Sequence, residues 1–508
     1  MNTNDRHIVA IDLGSSKIAL TVAEVSGENI QVLYYKETPS EGIRYSSIYN
    51  VMSSRGPIAN AIHEAEEELG VKITQAVVGM PKFPIRQERS CASIPDRGED
   101  AMISQEDVVI LKNFAHTLYP LNDTKKETIY GSVAQSFSTE EDFQIKENEI
   151  IGMTGDTLEG DFKVFVGKKS DLNKIDRVMT DIEVAAMRKY FTAESTAKAV
   201  LTESEMENGV ALIDFGGGST SVSIYHDNVM RHYASIPFGG KNITQDIKME
   251  CQISERLAEN IKLAFGACMP EKLQNLSDKI LHIKSNGVEP DKQLTVKYLS
   301  EIVTARIEEI MMAILYEIDK SGFADMLRSG IVVTGGCANI PNLGSLIYDI
   351  SGYKARIGYP NKCFSYQGCD EILEATAATS IGLILAAKND KTVNCTVSEG
   401  PGVIATEPVV ETPAGENGDP QGSLFGKSVE VIEVHEDTKE EKVVEKVEEK
   451  VKKEEVKEKG EKEEKPNSLR IIFKKFGKKV QTTINSLYEN VNEDDDDDTN
   501  SNDEDNNE

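Results

Sequence analysis

The chain has 508 residues and a formal net charge of −30. This length predicts two or more domains, and the negative charge argues against a nucleic-acid partner, because a phosphate backbone needs a basic surface. The seven cysteines are scattered and odd in number, which predicts a reducing environment without a disulfide framework. No signal peptide and no apolar run of about 18 residues is recognisable, so we expect synthesis and retention in the cytoplasm.

The first pattern is a strand, Ile8 to Leu13, that runs into a turn of small residues and continues as a second alternating run, Ile18 to Val25. It predicts a β-hairpin. In a Gly and Ser turn the backbone N–H groups can approach an anion closely, because no Cβ stands in the way. An Asp before the turn can hold a hydrated Mg²⁺, which prefers oxygen ligands. The residues concerned are Asp12, Gly14, Ser15, Ser16 and Lys17.

Helical periodicity then appears in Ile58 to Leu69. Pro81 and Pro84 mark the start of a segment with a different residue pattern, which extends to about Lys168. It contains a predicted helix, Gln105 to Leu118, and a short strand, Phe162 to Val166. A further helix is predicted over Ser170 to Tyr190.

A second hairpin follows, with strands Val210 to Phe215 and Ser221 to Tyr225. Its Asp and turn residues are Asp214, Gly216, Gly217, Gly218 and Ser219. The remaining predicted elements are helices Ser254 to Phe265 and Lys297 to Ile318, a buried-type strand Ile331 to Thr334 that ends at Gly335 and Gly336, and a last helix Glu371 to Ala387.

The repeated hairpin indicates an internal duplication. Two such hairpins that face each other would hold the phosphates of a nucleotide, and the third turn would close over its base. A single Asp-x-Gly hairpin is usually an ordinary tight turn, so ordinary loop glycines are the alternative. The recurrence, together with a Gly-Gly turn after a buried strand, favours the phosphate site.

Beyond Lys388 the composition changes. Residues 388–467 are rich in Pro, Gly, Glu and Lys, cannot bury enough apolar surface to offset the entropy of ordering, and are predicted to form a disordered linker. Residues 492–508 are predicted to be an acidic disordered tail.

Between them, residues 468–491 predict an amphipathic helix with apolar residues in an arc of roughly 120°. A Lys-rich amphipathic helix suits the surface of an anionic membrane; the alternative is a helix that docks on the globular body. The residues expected to bind the membrane are Leu469, Ile472, Phe473, Lys474, Lys475, Phe476, Lys478, Lys479, Val480, Ile484 and Leu487.

From about Arg6 to Ala387 these motifs resemble the actin-like ATPase superfamily. The resemblance implies an α/β, two-lobed fold. It also implies that the first hairpin is the phosphate-1 motif, the second is the phosphate-2 motif, and Thr334 to Pro341 is the adenosine motif. An actin-like body with a flexible tail and a membrane helix is similar to the FtsA family of bacterial cell-division proteins.

That family has a 1C subdomain inserted in the first half of the fold. The resemblance implies subdomain 1A at 6–82, 168–202 and 371–387, subdomain 1C at 83–167, subdomain 2A at 203–239 and 331–370, and subdomain 2B at 240–330.

For the site, the resemblance implies ATP and Mg²⁺ as ligands. Besides the two hairpins, it implies nucleotide contacts from Glu259, Lys262, Gly335, Gly336 and Asn339, and Mg²⁺ held through water by Asp12 and Asp214. Taken alone, Glu259 and Lys262 fit an ordinary surface pair at i,i+3. The family commonly has a second Asp where this chain has Ser221, so we expect slow hydrolysis and no catalytic residue is assigned.

The FtsA resemblance further implies filaments on the inner face of the cytoplasmic membrane at the division site. It implies anionic lipids and other division proteins as partners, and the C-terminal peptide of FtsZ bound through Arg306 and Glu309. The alternatives are a pilus-assembly ATPase or a small-molecule kinase of the same superfamily.

Overall fold

A computed structural model describes residues 6–98, 101–283, 292–361 and 364–397. The strands in chain order are β1 Arg6–Leu13, β2 Lys17–Ser26, β3 Asn29–Pro39, β4 Ile43–Arg44, β5 Ser47–Ile48, β6 Lys72–Ile73, β7 Gln75–Gly79, β8 Ile85–Ile94, β9 Glu127–Ser138, β10 Leu158–Lys168, β11 Ala185–Tyr190, β12 Val210–Phe215, β13 Thr220–His226, β14 Val229–Ile236, β15 Ile280–Ile283, β16 Lys292–Thr295, β17 Ile331–Thr334, β18 Ala355–Ile357, β19 Ser365–Tyr366 and β20 Thr396–Val397.

The α-helices in chain order are α1 Val51–Leu69, α2 Gln105–Thr117, α3 Glu147–Ile150, α4 Lys169–Asp181, α5 Thr192–Val200, α6 Glu203–Asn208, α7 Gly240–Cys251, α8 Glu255–Phe265, α9 Val296–Lys320, α10 Leu343–Ser351 and α11 Ala378–Ala387.

Two sheets with the same topology form the centres of two lobes. The first has the order β11-β7-β1-β2-β3-β19, and the second has the order β14-β13-β12-β17-β18. In each, three antiparallel strands are followed by two parallel strands: β3-β2-β1 with β7 and β11, and β14-β13-β12 with β17 and β18. This shared order is what an internal duplication produces, and both predicted hairpins are present.

Each lobe has its own hydrophobic core, and β12 separates the two. Leu212 packs in the core of the first lobe, whereas Ala211 and Ile213 pack in the core of the second. A strand covered on both faces is expected to be largely apolar, and in Val210–Phe215 every residue is buried and only Asp214 is charged. The two lobes are therefore in direct contact along this strand.

A smaller sheet, β8-β10-β9, is inserted between β7 and α4 and is covered by α2. Its separate core contains Ile103, Leu111, Phe137 and Phe162. The sheet also touches the second lobe, where Lys163 Nζ donates to the carbonyl oxygen of Arg231. The division of the chain into numbered subdomains stays a prediction.

The helix predicted over Ser170 to Tyr190 is wrong in its second half. Helix α4 ends at Asp181, Glu183 takes a φ of 61°, and Ala185–Tyr190 forms β11, which pairs in parallel with β7. Ala, Met, Arg and Lys in this stretch favour a helix locally, but pairing with an open sheet edge overrides that propensity.

The last helix is also shorter than predicted. Instead of one helix over Glu371–Ala387, 3₁₀ turns at Asp370–Leu373 and Ala375–Ala377 precede α11. The Ala375 carbonyl oxygen accepts hydrogen bonds from Gly335 N (3.2 Å) and Thr334 Oγ1 (3.1 Å), so it is committed to the turn after β17.

Candidate functional site

The β1–β2 turn contains the first group of predicted site residues. Antiparallel pairing runs to Leu13 and Ile18, so Gly14 to Ser16 form a very short connection. A Cβ on Gly14 would lie 2.5 Å from the Lys17 carbonyl oxygen, which explains the glycine. Lys17 itself is ion-paired with Glu37, which also accepts hydrogen bonds from Tyr35 and Thr376.

The β12–β13 turn contains the second group. Gly216 N donates to the Ser219 carbonyl oxygen at 3.1 Å and closes the turn. The turn also receives the start of α7, because the N–H groups of Gly240 and Lys241 donate to the carbonyl oxygens of Gly216 (3.0 Å) and Gly217 (2.7 Å). The position of the second turn is therefore fixed by the helix that follows β14.

The two turns face each other across the lobes and touch. A Cβ on Gly217 would lie 2.0 Å from Ser16 Oγ, and one on Gly218 would lie 2.6 Å from Ser15 Oγ. Lys241 also links the two lobes, because its Nζ donates to the Ser15 carbonyl oxygen at 2.6 Å. Only glycine permits this approach, and phosphates placed between the turns require the turns to separate.

The third turn begins at Gly335, which has a φ of 87°. A Cβ there would lie 2.7 Å from the Phe215 carbonyl oxygen and 2.8 Å from Asp214 Oδ1, so this turn lies directly against the second hairpin. Gly336 differs, since a Cβ on it meets nothing closer than Thr376 Cγ2 at 4.0 Å. Asn339 ends the 3₁₀ helix Gly336–Asn339 and is exposed.

Glu259 and Lys262 on α8 are more than an ordinary surface pair. Lys262 Nζ lies 2.7 Å from Glu259 Oε2, and it also donates to Thr244 Oγ1 (2.9 Å) and the Gly240 carbonyl oxygen (3.1 Å). The Lys262 side chain is only 10% exposed. Beside it, burial raises the pKa of the Cys337 thiol to about 11, so this cysteine stays neutral. The pair therefore lies between the β12–β13 turn and the third turn.

The carboxylates of Asp12 and Asp214 approach each other between the lobes, and a lysine that sequence reasoning missed lies with them. Lys82 Nζ donates to Asp214 Oδ2 at 2.5 Å and to Thr379 Oγ1 at 3.4 Å. Removal from water raises the pKa of Asp12, and the charge of Asp214 adds to this, whereas Lys82 and Lys17 oppose it. Burial alone would lower the pKa of Lys82, but Asp214 and Asp12 raise it above its ordinary value.

The sequence carried only a weak signal for Lys82. It is a charged residue between Pro81 and Pro84, just after a strand of buried type. That strand, β7, pairs in parallel with β1, and this pairing brings the following residues towards Asp12. Nothing local indicates that Asp214, in the other lobe, is the partner.

Two carboxylates suit a hydrated Mg²⁺ in ligand chemistry. In this arrangement, however, Asp214 is already neutralised by the Lys82 ammonium, and a divalent cation there would lie against a like charge. The residues therefore do not fit the predicted metal site as they stand.

Comparison with known proteins bears on the family resemblance. A family model described as "Cell division protein FtsA" matches residues 211–382. FtsA from Neisseria meningitidis is 28% identical over 391 residues, which cover 76% of this chain and 91% of that protein. FtsA from Bacillus subtilis is 27% identical over 384 residues, which cover 76% of this chain and 84% of that protein. These matches confirm the resemblance to FtsA that the sequence motifs indicated.

The solved structure of a PilM-PilN type IV pilus biogenesis complex matches with a TM-score of 0.51 at 13% identity, covering 76% of this chain and 98% of that chain. A match at this identity shows the fold alone. The chain therefore has the predicted actin-like α/β fold.

The two residues predicted to contact FtsZ, Arg306 and Glu309, lie on α9. Arg306 donates to Asp246 of α7 through Nε (2.5 Å) and Nη2 (2.8 Å), and through Nη1 to Glu309 Oε2 (2.6 Å). The Glu309 side chain is 70% exposed, whereas that of Arg306 is 28% exposed. The i,i+3 pair thus shares one face, but the guanidinium is largely engaged within the protein.

The residues predicted to bind the membrane, from Leu469 to Leu487, lie outside the described residues, as do the linker after residue 397 and the acidic tail. Among the helices that the structure describes, none is long and apolar enough to cross a membrane.

Proposed function

We propose that this chain binds ATP between its two lobes, polymerises on the inner face of the cytoplasmic membrane, and tethers FtsZ filaments there to help assemble the division septum. The observation that carries the proposal is the contact between two turns of small residues, Gly14–Ser16 and Gly216–Ser219, beside two carboxylates. The FtsA likeness supports the cellular role.

ATP would be held mainly by the backbone. The N–H groups of both turns would face the phosphates, as in other anion sites made of successive backbone amides. Gly336 would lie against the nucleoside, because it is the glycine of this region with open space beside it. Glu259 and Lys262, which lie next to that turn, would contact the ribose and base. Mg²⁺ held by Asp12 and Asp214 is not part of this proposal, because Asp214 is already paired with Lys82.

Membrane attachment would depend on many copies acting together. A single amphipathic helix binds a bilayer reversibly, and each lysine near an anionic surface contributes about 1 kcal/mol. Head-to-tail contacts between copies would produce filaments, and a filament would present many helices at once. Self-association and anionic lipid are therefore parts of one proposal, and electron microscopy on a lipid monolayer with ATP should show filaments or rings.

FtsZ would bind through its C-terminal peptide on the 240–330 segment, where Arg306 and Glu309 offer a donor and an acceptor on one helix face. Other division proteins are expected as later partners. Nucleic acid is not expected as a partner, because the chain has a net charge of −30.

Liposome flotation tests the tether. The full chain should carry FtsZ filaments to the top of a gradient with anionic vesicles, and deletion of residues 468–491 should leave both proteins at the bottom. Phe473→Glu with Phe476→Glu should reproduce the deletion, because it places charge in the centre of the apolar arc. Leu424→Glu with Phe425→Glu in the linker is the matched control and should float normally.

Changing Lys474, Lys475, Lys478 and Lys479 to Gln should weaken flotation mainly at low salt, since screening already reduces their contribution at high salt. If FtsZ still floats with the variant of this chain that lacks residues 468–491, the membrane-binding segment lies elsewhere in the chain. Failure of the full chain to recruit FtsZ at all would remove the tether function and favour a pilus-assembly ATPase or a kinase of the same fold.

A further inference from the structure

Lys82 lies near the two carboxylates, and neither the hairpins nor the FtsA likeness predicts it. It follows β7 in the first lobe, yet its Nζ lies 2.5 Å from Asp214 Oδ2 in the second. The two side chains are 13% and 10% exposed, so the pair is largely withdrawn from water.

The backbone around Lys82 is held as firmly as its side chain. The Tyr233 hydroxyl, on β14 of the second lobe, donates to the Lys82 carbonyl oxygen at 2.7 Å. The next residue, Phe83, is buried, and its ring packs edge-on against Tyr45. The lysine is therefore positioned by both lobes and does not merely reach Asp214 by side-chain flexibility.

The charges explain why a cation is needed there. Asp12 and Asp214 are two acidic groups in a poorly solvated place, and a buried charge without a partner is strongly unfavourable. An ammonium group has three N–H donors; one is directed at Asp214 and a second at Thr379, which leaves a third. Lys82 can thus keep its hydrogen bond to Asp214 and still donate one to an anion placed between the turns.

We propose that Lys82 is the resident cation of this site, supplying the positive charge that Asp12, Asp214 and the entering phosphates share, so that nucleotide binds with little dependence on Mg²⁺. This inference rests on the proposed ATP site. It makes Lys82 a nucleotide-binding residue and explains why the carboxylates do not fit a metal site as they stand.

Removal of the lysine charge should make the metal necessary. Without Lys82, Asp214 would face a triphosphate without the cation that pairs with it, whereas Lys17 is already ion-paired with Glu37. Mg²⁺ carried by the nucleotide would then be the main offset to the repulsion. Unit charges about 4 Å apart near a protein surface interact strongly enough to change an affinity on the order of a hundredfold or more.

The test is a titration of a fluorescent ATP analogue, followed by anisotropy, in saturating Mg²⁺ and again in EDTA. Wild-type protein should lose less than about tenfold in affinity when Mg²⁺ is removed, whereas Lys82→Met should lose on the order of a hundredfold, with Mg²⁺-bound affinity nearly kept. Lys82→Arg should remain close to wild type. Lys163→Met, which removes another lysine bridging to the second lobe, should also behave as wild type.

The wild-type measurement needs no variant, so misfolding cannot obscure it. If wild-type protein binds the analogue only with Mg²⁺, or if Lys82→Met shows the same Mg²⁺ dependence as wild type, Lys82 is only a structural link between the lobes and the inference is overturned while the ATP site stands. If wild-type protein binds no nucleotide under either condition, the ATP site fails and the inference falls with it.

Discussion

Asp214 and Ser221 are paired directly across the β12–β13 hairpin. Residues opposite each other on antiparallel strands project from the same face, so the Ser221 hydroxyl lies on the side of the sheet where Asp214 meets Lys82. Both residues are buried: Ser221 is 6% exposed and Asp214 is 8% exposed. A serine here means that the hairpin offers one carboxylate where the related family commonly has two.

Hydrolysis of ATP is therefore expected to be slow, below the ordinary enzyme range of about 1–10³ s⁻¹. Ser221→Asp should raise turnover by about tenfold or more, because a carboxylate at this place can accept a proton from the attacking water. Phosphate release is the measurement. Ser221→Asn is the matched control, since it has the same shape without a basic carboxylate; equal rates for the two variants would exclude this role.

Gly336→Asp should abolish ATP binding without affecting the fold. The new side chain meets no protein atom closer than 4.0 Å, so it extends into the space assigned to the nucleotide. Affinity for a fluorescent ATP analogue should fall below detection while the melting temperature stays unchanged. Gly56→Asp, at an exposed glycine of α1 with nothing within 4 Å, adds the same charge and should bind normally. Unchanged affinity in Gly336→Asp would move the nucleoside elsewhere.

Local patterns predicted the parts of the site that depend on local chemistry. Both hairpins and the turn at Gly335 follow from strand alternation ending in small residues, and these signals lie within a few positions of each other. Lys82 depends on a contact with Asp214, 132 residues further along the chain, and no local pattern carries that information.

The same limit explains one of the errors in the fold. Ala185–Tyr190 has helix-forming residues but forms strand β11, because it pairs in parallel with the edge of β7. In contrast, the start of α1 was missed because Gly56 and Pro57 resemble a loop; the helix begins at Val51, with the Asn50 side chain accepting from Ser53 N at its N-terminus. The β11 error was decided by a pairing with a distant strand, whereas the start of α1 depends on a local cap that Gly56 and Pro57 obscured.

Asp107 should stabilise α2 in a pH-dependent way. Ser104 N donates to its carboxylate at 2.8 Å and Arg97 Nη2 donates at 2.6 Å, and these bonds, that from Ser104 first, lower the pKa of Asp107. Because the folded pKa is depressed, the stabilisation is fully present above the unfolded value of about 3.9 and is lost as the pH falls through the folded value.

Asp107→Asn should therefore destabilise α2 by about 1 kcal/mol at neutral pH, with the difference from wild type shrinking below about pH 4. Hydrogen exchange of the α2 amides measures it. Glu106→Gln, an exposed acidic change in the same turn, should have a much smaller effect. A difference that persists unchanged at low pH would mean that the loss is steric.

The last prediction concerns Arg306, whose guanidinium is shared between Asp246 and Glu309. If this face of α9 binds the FtsZ C-terminal peptide, Arg306→Glu should lower the affinity by about tenfold to a hundredfold, the usual effect of losing a charge-assisted hydrogen bond.

The substitution also places a carboxylate against Asp246, so loss of affinity alone would not separate a direct peptide contact from a disturbed α7–α9 pair. Asp246→Asn resolves this, because it weakens the internal pair but keeps the arginine charge. Isothermal titration should show reduced affinity for Arg306→Glu and retained affinity for Asp246→Asn, with ATP and lipid binding normal in both; equal losses would assign Arg306 to helix packing and move the interface elsewhere.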